Sequence, residues 1–403
     1  MATQIHFQTG PQDYPIPDWN DYKVRAVTAE ARPWPPAHGD IKSILIIKLD
    51  ALGDYLLHTP FYAHLRKFYP QATITLLCNK INLNLAEHNP TFNHVIAPPH
   101  EPGYDQAQSF LYAIELGAHE AAPFDLIIVP RWTEDWHHAG VIAQTLDAPY
   151  RLTYAANTQP YKQQHFPQHD DFFTHVIDDP RPAHEVWRGM QILHALGMAM
   201  PPVIDIKQEF HFTAEDENKI NAIISAQDFP RPWIAFGVGA SADFKRWPSE
   251  YFADLAQKLP GTIFILGHGA KDEATAVAIA AAHPAAQNLV GKLTPRENGV
   301  FIRHCDILVC NDSFALHAAA TVGTPAIEII GHPADSTAGQ NEYTPWRFGP
   351  WGIPFAWLQP ATCKASARMI PDFRLDPKCI GDVTAEDVCN AVMEGNRRWP
   401  TVR

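Results

Sequence analysis

From residue 41 onward the chain alternates short apolar runs with segments whose apolar residues recur at helical spacing. The run IKSILIIK (41–48) is rich in β-branched residues, and YLLHTPFYAHLRKFYP (55–70) follows it with helical periodicity. Such runs are typical of buried parallel strands, and this alternation therefore indicates an α/β protein with a parallel sheet. Further strands are predicted at 72–79, 94–98 and 124–130, and further helices at 106–117, 137–148 and 184–198.

A second series of the same kind follows a predicted boundary near residue 205. It opens with WIAFGVG (233–239), an apolar strand that runs into a turn containing glycine. We therefore expect two Rossmann-like domains, at 41–205 and 206–345, which face each other across a cleft. The other strands of this series are predicted at 261–269, 288–291, 306–312 and 324–331, and its helices at 249–259, 271–283, 296–305 and 314–323.

Four segments fall outside this alternation. Residues 1–40 are dense in proline, which blocks regular helix and sheet, and they are predicted to form an irregular extension, either draped over the body or partly disordered. The interval 99–123 is longer than a usual connection and predicts an insertion around the helix at 106–117. The polar segment 151–182 is predicted to be a long loop or flap. Residues 346–403 are expected to be irregular, with a last helix at 384–395 capped by Thr384.

The charge balance narrows the possible partners. The chain has 31 Lys and Arg residues against 44 Asp and Glu, which gives a net charge of −13. An acidic protein is a poor candidate for nucleic-acid binding through a general basic surface, so no nucleic-acid partner is expected. A small anionic ligand held by a few local cations is still possible.

Other features of the chain bear on its compartment. No run of 18 apolar residues occurs, and MATQIHFQTG lacks the features of a signal peptide, so we expect a cytoplasmic protein with at most peripheral contact at the inner face of the membrane. The six cysteines include no CxxC pair, which favours a reduced protein. Cys363, Cys379 and Cys389 fit no common zinc pattern and are predicted to be free thiols.

The turn LDALGD after the first strand is the first candidate site. Ligands bind at the carboxyl ends of strands in parallel sheets, and Asp50 and Asp54 both fall there. Gly53 permits a tight turn and a close approach of the ligand. A carboxylate at this position can take a proton from a hydroxyl nucleophile, and the alternative is a carboxylate that only caps a helix or pairs with its dipole.

Two further candidate sites lie in the second series. In GVGASADFKRWP (237–248), backbone N–H groups suit a phosphate, and Lys245 or Arg246 can neutralise its charge. In CNDSFALHAAATVGTP (310–325), the N–H groups that open the predicted helix are placed to hold a pyrophosphate. His317 lies one turn into that helix, and its alternative interpretation is a core histidine.

Taken together, these motifs resemble glycosyltransferase family 9, the ADP-heptose:lipopolysaccharide heptosyltransferases. ILIIKLDALGDYLLHTP is similar to the opening strand and turn of the family, FKRWP to its Lys-x-Trp-Pro element, and NDSFALHAAATVGTP to its Asp-Ser/Thr-Gly-x-x-His motif. The resemblance spans residues 41–331. It implies a GT-B architecture, an inverting reaction without a metal for the leaving group, and a nucleotide-sugar donor held mostly by the second domain.

The resemblance also implies roles for particular residues. Asp54 would be the general base for the acceptor hydroxyl, and Lys245 would offset the charge that grows on the departing ADP. Arg131, at the end of a first-domain strand, is proposed as an acceptor contact beside Gly53, or alternatively as a structural arginine near Glu134 or Asp135. The residues implied for donor binding are Gly239, Ser241, Leu293, Asp312, Ser313, Phe314, Ala315 and His317.

The sequence departs from the family pattern at two of these places. Phe314 stands where the family often has glycine, and Asp50 stands where serine is common. The leading hypothesis is transfer of a heptose-type sugar from an ADP-sugar, without a further cofactor, to a hydroxyl of a cell-surface glycan precursor or a protein. The alternatives are a different nucleotide-sugar donor and a non-catalytic protein that binds sugar nucleotides.

Overall fold

The computed structural model describes residues 3–98, 106–119, 121–332, 344–362 and 379–399. The chain divides into two compact units, which we call the amino-terminal unit (Pro15–Ile206) and the carboxyl-terminal unit (Lys207–Arg403 together with Met1–Tyr14). Each unit has a predominantly parallel sheet with connecting helices, and this confirms the α/β class that the alternating pattern predicts.

The strands in the described part of the chain are β1 (Thr3–Gln8), β2 (Lys23–Ala26), β3 (Ser43–Lys48), β4 (Thr73–Cys78), β5 (His94–Ile96), β6 (Leu126–Ile128), β7 (Tyr150–Tyr154), β8 (His175–Asp178), β9 (Trp233–Gly237), β10 (Thr262–Leu266), β11 (Gln287–Asn288), β12 (Ile307–Asn311), β13 (Ala326–Ile329) and β14 (Phe355–Pro360).

The α-helices in the same residues are α1 (Leu52–Leu57), α2 (Thr59–Phe68), α3 (Leu83–Ala86), α4 (Gln106–Gly117), α5 (Ala139–Leu146), α6 (Pro160–His165), α7 (Glu185–Ala195), α8 (Ala214–Ile224), α9 (Ser249–Lys258), α10 (Ala270–Ala282), α11 (Pro295–Arg303), α12 (Phe314–Val322), α13 (Pro345–Phe348) and α14 (Ala385–Arg398).

The sheet of the amino-terminal unit has the order β2-β8-β7-β6-β3-β4-β5, and only the β2–β8 pair of this sheet is antiparallel. At its centre Ile46 of β3 is in register with Leu76 of β4 and Ile128 of β6. Side chains on one face pack against α4 and α5, and α2 packs against α7. Burial on both faces explains why β3 is apolar at nearly every position.

The sheet of the carboxyl-terminal unit has the order β1-β14-β13-β12-β9-β10-β11, in which β1 pairs antiparallel with β14 and the other pairs are parallel. One face packs Phe236, Val309 and Ile327 against α9 and α14. On the other face Gly237 allows a close approach of α12, because a Cβ atom there would lie 2.9 Å from the Cβ of Ala315. This close approach places the start of α12 beside the ends of β9 and β12.

Several predictions about the segments outside the alternation are wrong. Residues 1–40 are not irregular throughout, because β1 joins the carboxyl-terminal sheet and β2 joins the amino-terminal one. The segment 151–182 is not a loop or flap, since most of β7, with α6 and β8, lies in it. Strands β7 and β8 contain polar residues that form hydrogen bonds inside the unit; for example, Thr153 Oγ1 donates to Val129 O at 3.0 Å. Their sequences therefore lack the apolar pattern of a buried strand.

The carboxyl-terminal segment is also more regular than predicted. It contains β14, paired with β13, and α13, in addition to the last helix. That helix begins after its N-cap Thr384, as predicted, and runs to Arg398. The predicted insertion helix at 106–117 is confirmed as α4.

The cysteine prediction is partly wrong. Cys379 is disulfide-bonded rather than a free thiol, whereas Cys389 is free as predicted. The prediction for Cys363 lies outside the described residues. Because Cys379 is disulfide-bonded, the argument from cysteines for a reduced protein no longer holds. The sequence carries no motif such as CxxC that would have signalled this disulfide.

Candidate active site

The turn between β3 and α1 is organised by Asp50. Its carboxylate accepts from Lys48 Nζ at 2.6 Å and also contacts the guanidinium of Arg131, while its carbonyl oxygen accepts from Asn82 Nδ2 at 2.8 Å. Lys48 and Asp50 are both buried. Asp50, the residue that departs from the family pattern, is therefore engaged by two cations that hold this turn in place.

Gly53 and Asp54 lie in the first turn of α1, at the carboxyl end of β3. The N-cap of α1 is Ala51 and not Asp54, whereas the first-turn position of Asp54 fits the other half of the alternative, a carboxylate that pairs with the helix dipole. Asp54 is half-buried, and its carbonyl oxygen contacts His58 Nδ1 at 3.0 Å. A carboxylate at this place is a group that can accept a proton from a hydroxyl.

Arg131 follows β6, the strand next to β3. Besides its contact with Asp50, its Nε donates to the carbonyl oxygen of Glu134, and its side chain is 20% exposed. Asp135 is occupied elsewhere, because its carboxylate accepts from the N–H groups of Ala139 and Gly140 at 2.9 and 2.7 Å at the start of α5. The structural interpretation of Arg131 is thus supported at Glu134, and the exposed part of its side chain faces solvent.

In the carboxyl-terminal unit, the end of β12 leads directly into α12. Ser313 is the N-cap of α12, and its side chain makes no capping hydrogen bond. The first N–H groups of a helix, here those of Phe314 and Ala315, have no carbonyl acceptor one turn earlier within the helix. With the dipole, they form a site suited to an anion.

Lys245 brings a positive charge to this helix end. It ends a short 3-10 helix (Asp243–Lys245) in the loop after β9, and its Nζ lies 2.6 Å from Asp312 Oδ2. Burial opposes ionisation of Asp312, but Lys245, assisted by two histidines, outweighs it and lowers the pKa of that carboxyl below its usual value. The predicted residues Lys245, Asp312 and Ser313 are therefore brought together at the start of α12.

His317 is buried one turn into α12, and its Nδ1 has no hydrogen-bond partner. Burial lowers the pKa of His317 to about 4, so its imidazole is neutral near pH 7. The charge of Asp312 acts on His317 in the opposite direction, which indicates that the two are close. A buried ring nitrogen without a partner next to the helix start is unusual for a satisfied core histidine.

The other predicted donor residues lie on neighbouring loops. Gly239 follows β9 and leaves room for Asp272, because a Cβ on Gly239 would lie 2.9 Å from Asp272 Oδ2. Ser241 is exposed in the same loop. Leu293 is buried just before α11, after β11, which is separated from β12 by two strands of the sheet. Leu293 therefore lies apart from the group around Lys245.

Sequence reasoning missed the residues that shape the loop after β9. The buried side chain of Asn311 donates through Nδ2 to Val238 O at 2.9 Å and accepts from the Trp247 N–H at 3.0 Å. Arg246 binds Asp272 at 2.6 Å and donates to Ala240 O at 2.8 Å. Of the two candidate cations, Arg246 is thus engaged by Asp272 of α10 and by its own loop, and Lys245 faces the start of α12. A polar residue at the end of an apolar strand was the available signal for Asn311.

Glu328 was missed as well. It lies within β13, is buried, and its Oε2 has no hydrogen-bond partner. Burial, together with the charge of Asp312, raises the pKa of Glu328 well above its usual value, which favours the protonated form. A glutamate inside the apolar run AIEII was the visible signal.

The described residues contain no group of three or more His, Cys, Asp or Glu side chains placed to hold a metal ion. None of the helices in those residues combines the length and apolar character needed to span a bilayer.

Comparison with known proteins places these features in a family. Residues 137–343, more than half of the chain, match the sequence profile described as Glycosyltransferase family 9 (heptosyltransferase). Lipopolysaccharide heptosyltransferase 3 of Escherichia coli is 25% identical to this chain over 290 residues, which cover 69% of this chain and 80% of that relative.

Solved structures show the same fold. A glycosyl transferase family 9 protein from Veillonella parvula matches with a TM-score of 0.70 and 20% identity, over 89% of this chain and 98% of that one. E. coli heptosyltransferase WaaC with ADP matches with a TM-score of 0.61 and 14% identity, over 88% and 99% of the two chains. The predicted GT-B fold class is confirmed. With the sequence match, it follows that this chain belongs to glycosyltransferase family 9, the heptosyltransferases, and is a glycosyltransferase.

Proposed function

We propose that the protein transfers a heptose-type sugar from an ADP-sugar to a hydroxyl of a lipopolysaccharide core or related glycan precursor, with inversion and without a catalytic metal. The observation that carries the proposal is the 2.6 Å Lys245–Asp312 pair at the start of α12. Through this pair Asp312 holds the ammonium group of Lys245 near the first N–H groups of α12. A cation together with backbone N–H donors is the chemistry that a diphosphate requires. The relatives and the ADP-bound neighbour support the choice of heptose and of ADP.

The proposed reaction is a single displacement. The acceptor oxygen forms a bond to the anomeric carbon while the bond from that carbon to the diphosphate oxygen breaks, and ADP leaves with the electron pair. Attack from the face opposite to the leaving group inverts the configuration. The proton of the acceptor hydroxyl passes to the carboxylate of Asp54.

Negative charge grows on the leaving diphosphate in the transition state. Lys245 and the N–H groups of Phe314 and Ala315 are placed before the reaction, so they stabilise this charge without reorganising. Phe314 replaces the glycine that is frequent in the family, but it retains its N–H group. His317, neutral at pH 7, adds a ring nitrogen at the same helix end without adding charge.

Removing the base is the first test. Asp54→Ala is expected to lower kcat with ADP-heptose by about 10²–10⁴-fold, because general-base catalysis contributes that much. Its affinity for ADP, measured by calorimetry, should equal that of the wild type. Transfer at the wild-type rate would refute the base assignment.

Removing the cation is the second test. Lys245→Ala is expected to weaken ADP-sugar binding and to lower kcat/KM by about 10²–10³-fold, as for other preorganised groups that stabilise transition-state charge. Lys271→Ala is the matched control, since Lys271 lies in the same unit, 65% exposed and paired with Asp243. Equal effects of the two substitutions would contradict the role of Lys245.

The choice of donor is tested by a thermal-shift panel. ADP-, GDP- and UDP-sugars are compared at equal concentration, because a ligand that binds only the folded state raises the melting temperature with its affinity. We expect the largest shift with ADP-heptose. A larger shift with a GDP- or UDP-sugar would assign another donor, and a shift without turnover of any donor would favour a non-catalytic protein that binds sugar nucleotides.

A further inference from the structure

We propose that an aromatic cluster on the amino-terminal unit binds a pyranose ring of the acceptor glycan. The cluster, which we call the aromatic platform, consists of Trp136, Tyr161, His165 and Phe166. The inference rests on the proposed function, because it assigns the acceptor as a carbohydrate. It assigns a site to the segment 151–182, for which the sequence predicted only a long loop or flap.

The rings of the platform lie against one another at the surface. The ring of Phe166 meets Trp136 edge-on, with centroids 5.0 Å apart and an angle of 84°. Tyr161 lies 6.4 Å from Trp136 and 4.0 Å from His165, one turn along α6. Trp136 is 36% exposed, His165 is exposed, and the other two rings are half-buried. The platform thus presents aromatic surface to solvent.

The inner side of α6 fixes this platform to the sheet. Lys162, whose side chain is completely buried, donates through Nζ to the carbonyl oxygens of Tyr154 at 2.8 Å and Trp132 at 3.5 Å. Thr158 Oγ1 donates to the same Trp132 oxygen at 3.1 Å, and Gln159 caps the helix at the Lys162 N–H. These contacts hold Tyr161 and His165 at a set position beside the loop that carries Trp136.

The platform lies at the edge of the sheet where the proposed base is found. Trp136 belongs to the loop after β6, and Arg131 in that loop contacts Asp50 in the turn before α1. Because β3 and β6 are adjacent parallel strands, the loop after β6 and the turn that leads to Asp54 leave the sheet at the same edge. In parallel α/β sheets this carboxyl edge is where ligands bind.

The chemistry of the cluster fits a sugar ring. A pyranose has one face of C–H groups and a rim of hydroxyls, and the electron-rich face of an aromatic ring attracts such C–H groups. Rigid aromatic rings lose little conformational entropy when they bind, which makes them effective anchors. Polar residues lie next to the platform residues in the sequence, His137 and His138 after Trp136 and Gln168 after Phe166, and can serve the hydroxyl rim. The platform is therefore assigned to a carbohydrate and not to an apolar chain.

The test measures binding of deacylated lipopolysaccharide core oligosaccharides, with and without heptose, by calorimetry on the full-length protein. Trp136→Ala is expected to raise the dissociation constant about tenfold or more, as for a buried aromatic anchor. Tyr161→Ala should have a smaller effect, and Trp136→Phe should retain most of the affinity. Phe110→Ala is the matched control, because Phe110 is a 48% exposed aromatic residue on α4 of the same unit. Melting temperatures verify that each variant is folded.

The outcomes separate this inference from the proposed function. If Trp136→Ala binds the oligosaccharides as the wild type does, or if Phe110→Ala loses as much affinity, the platform is refuted. It is also refuted if the wild-type protein binds ADP but neither oligosaccharide, whereas the donor site then stands. If the oligosaccharides bind through Trp136 and ADP does not bind, the platform stands and the proposed function fails.

Discussion

The two sheets build their carboxyl edges in different ways. In the amino-terminal unit, charged side chains from separate segments meet: Lys48 and Asp50 beside β3, and Arg131 after β6. In the carboxyl-terminal unit, the edge depends on how closely α12 approaches the sheet, which Gly237 permits. The first edge, which we call the charged edge, depends on one carboxylate shared by two cations. The second, which we call the shape-dependent edge, has ion pairs too, Lys245 with Asp312 and Arg246 with Asp272, but it also requires close packing of α12. The two edges should therefore respond to different perturbations.

The first prediction concerns a substitution that disrupts the charged edge. Asp50→Ala removes the carboxylate that two cations share, so Lys48 and Arg131 then repel each other in a buried place. The free energy of unfolding is expected to fall by about 3–5 kcal/mol, the usual effect of breaking a buried ion pair. Urea unfolding of the purified protein measures it.

An exposed pair supplies the control for this prediction. Asp21 pairs with Arg181 at 3.2 Å, but its side chain is 67% exposed. Asp21→Ala should cost less than about 1 kcal/mol, because water screens such pairs. A loss in Asp50→Ala no greater than in Asp21→Ala would show that the charged edge does not support the fold.

The second prediction concerns a substitution that disrupts the shape-dependent edge. In Gly237→Ala the added Cβ would meet Cys310 Cβ at 2.8 Å and Ala315 Cβ at 2.9 Å. Overpacking of this kind is expected to cost about 1–3 kcal/mol in urea unfolding and to weaken ADP binding, because α12 must move. Gly39→Ala is the control, since no atom lies within 4 Å of its added Cβ. Unchanged stability and ADP affinity in Gly237→Ala would contradict the interpretation.

The third prediction concerns the pH dependence of stability, to which the buried Lys162 of the amino-terminal unit should contribute. Burial lowers the pKa of Lys162 to about 7, whereas in the unfolded chain it is near its ordinary value of 10.5. Between these values the unfolded chain holds more protons, so the stability that Lys162 contributes rises with pH from about 7 to 10 and falls as the pH returns to 7.

The measurement compares wild type with Lys162→Met at several pH values. The difference in the free energy of unfolding should change in favour of the wild type by up to about 1.4 kcal/mol per pH unit. The difference between Gly237→Ala and wild type should stay constant over the same range. A constant difference for Lys162→Met would mean that the buried amine keeps its ordinary pKa.

The sequence predicts local features of the molecule better than features assembled from distant segments. Helix α4 and the N-cap Thr384 are found correctly, because helical periodicity and capping are local properties. The motif around Asp312 is likewise contiguous with α12, so the sequence predicts where it lies. Its partner Lys245 is 67 positions away but belongs to a recognisable motif of its own.

What the sequence does not predict is assembled from distant segments. The pairing of Asp50 with Arg131, and of Lys162 with carbonyls of β7 and of the loop after β6, depends on which strands become neighbours. Strands β7 and β8 are hidden for a related reason, since their polar residues are satisfied by tertiary hydrogen bonds and leave no apolar pattern. An ionisable residue inside an apolar run, such as Glu328 in β13, is visible in the sequence, but the sequence alone does not reveal its role.

Strand β1 has a consequence for the order of events during synthesis. It is made first, yet it pairs with β14, and Thr3 Oγ1 donates to Asp387 Oδ2 across 384 positions of the chain. While the ribosome extends the chain, residues 15–206 can complete their sheet, but β1 must wait for nearly all of the chain to emerge. Contacts between residues far apart in the sequence form slowly, and an unpaired strand can pair with strands of other chains. We therefore expect the attachment of β1 to be a late step in folding, and β1 to need protection from wrong pairing until β14 is available.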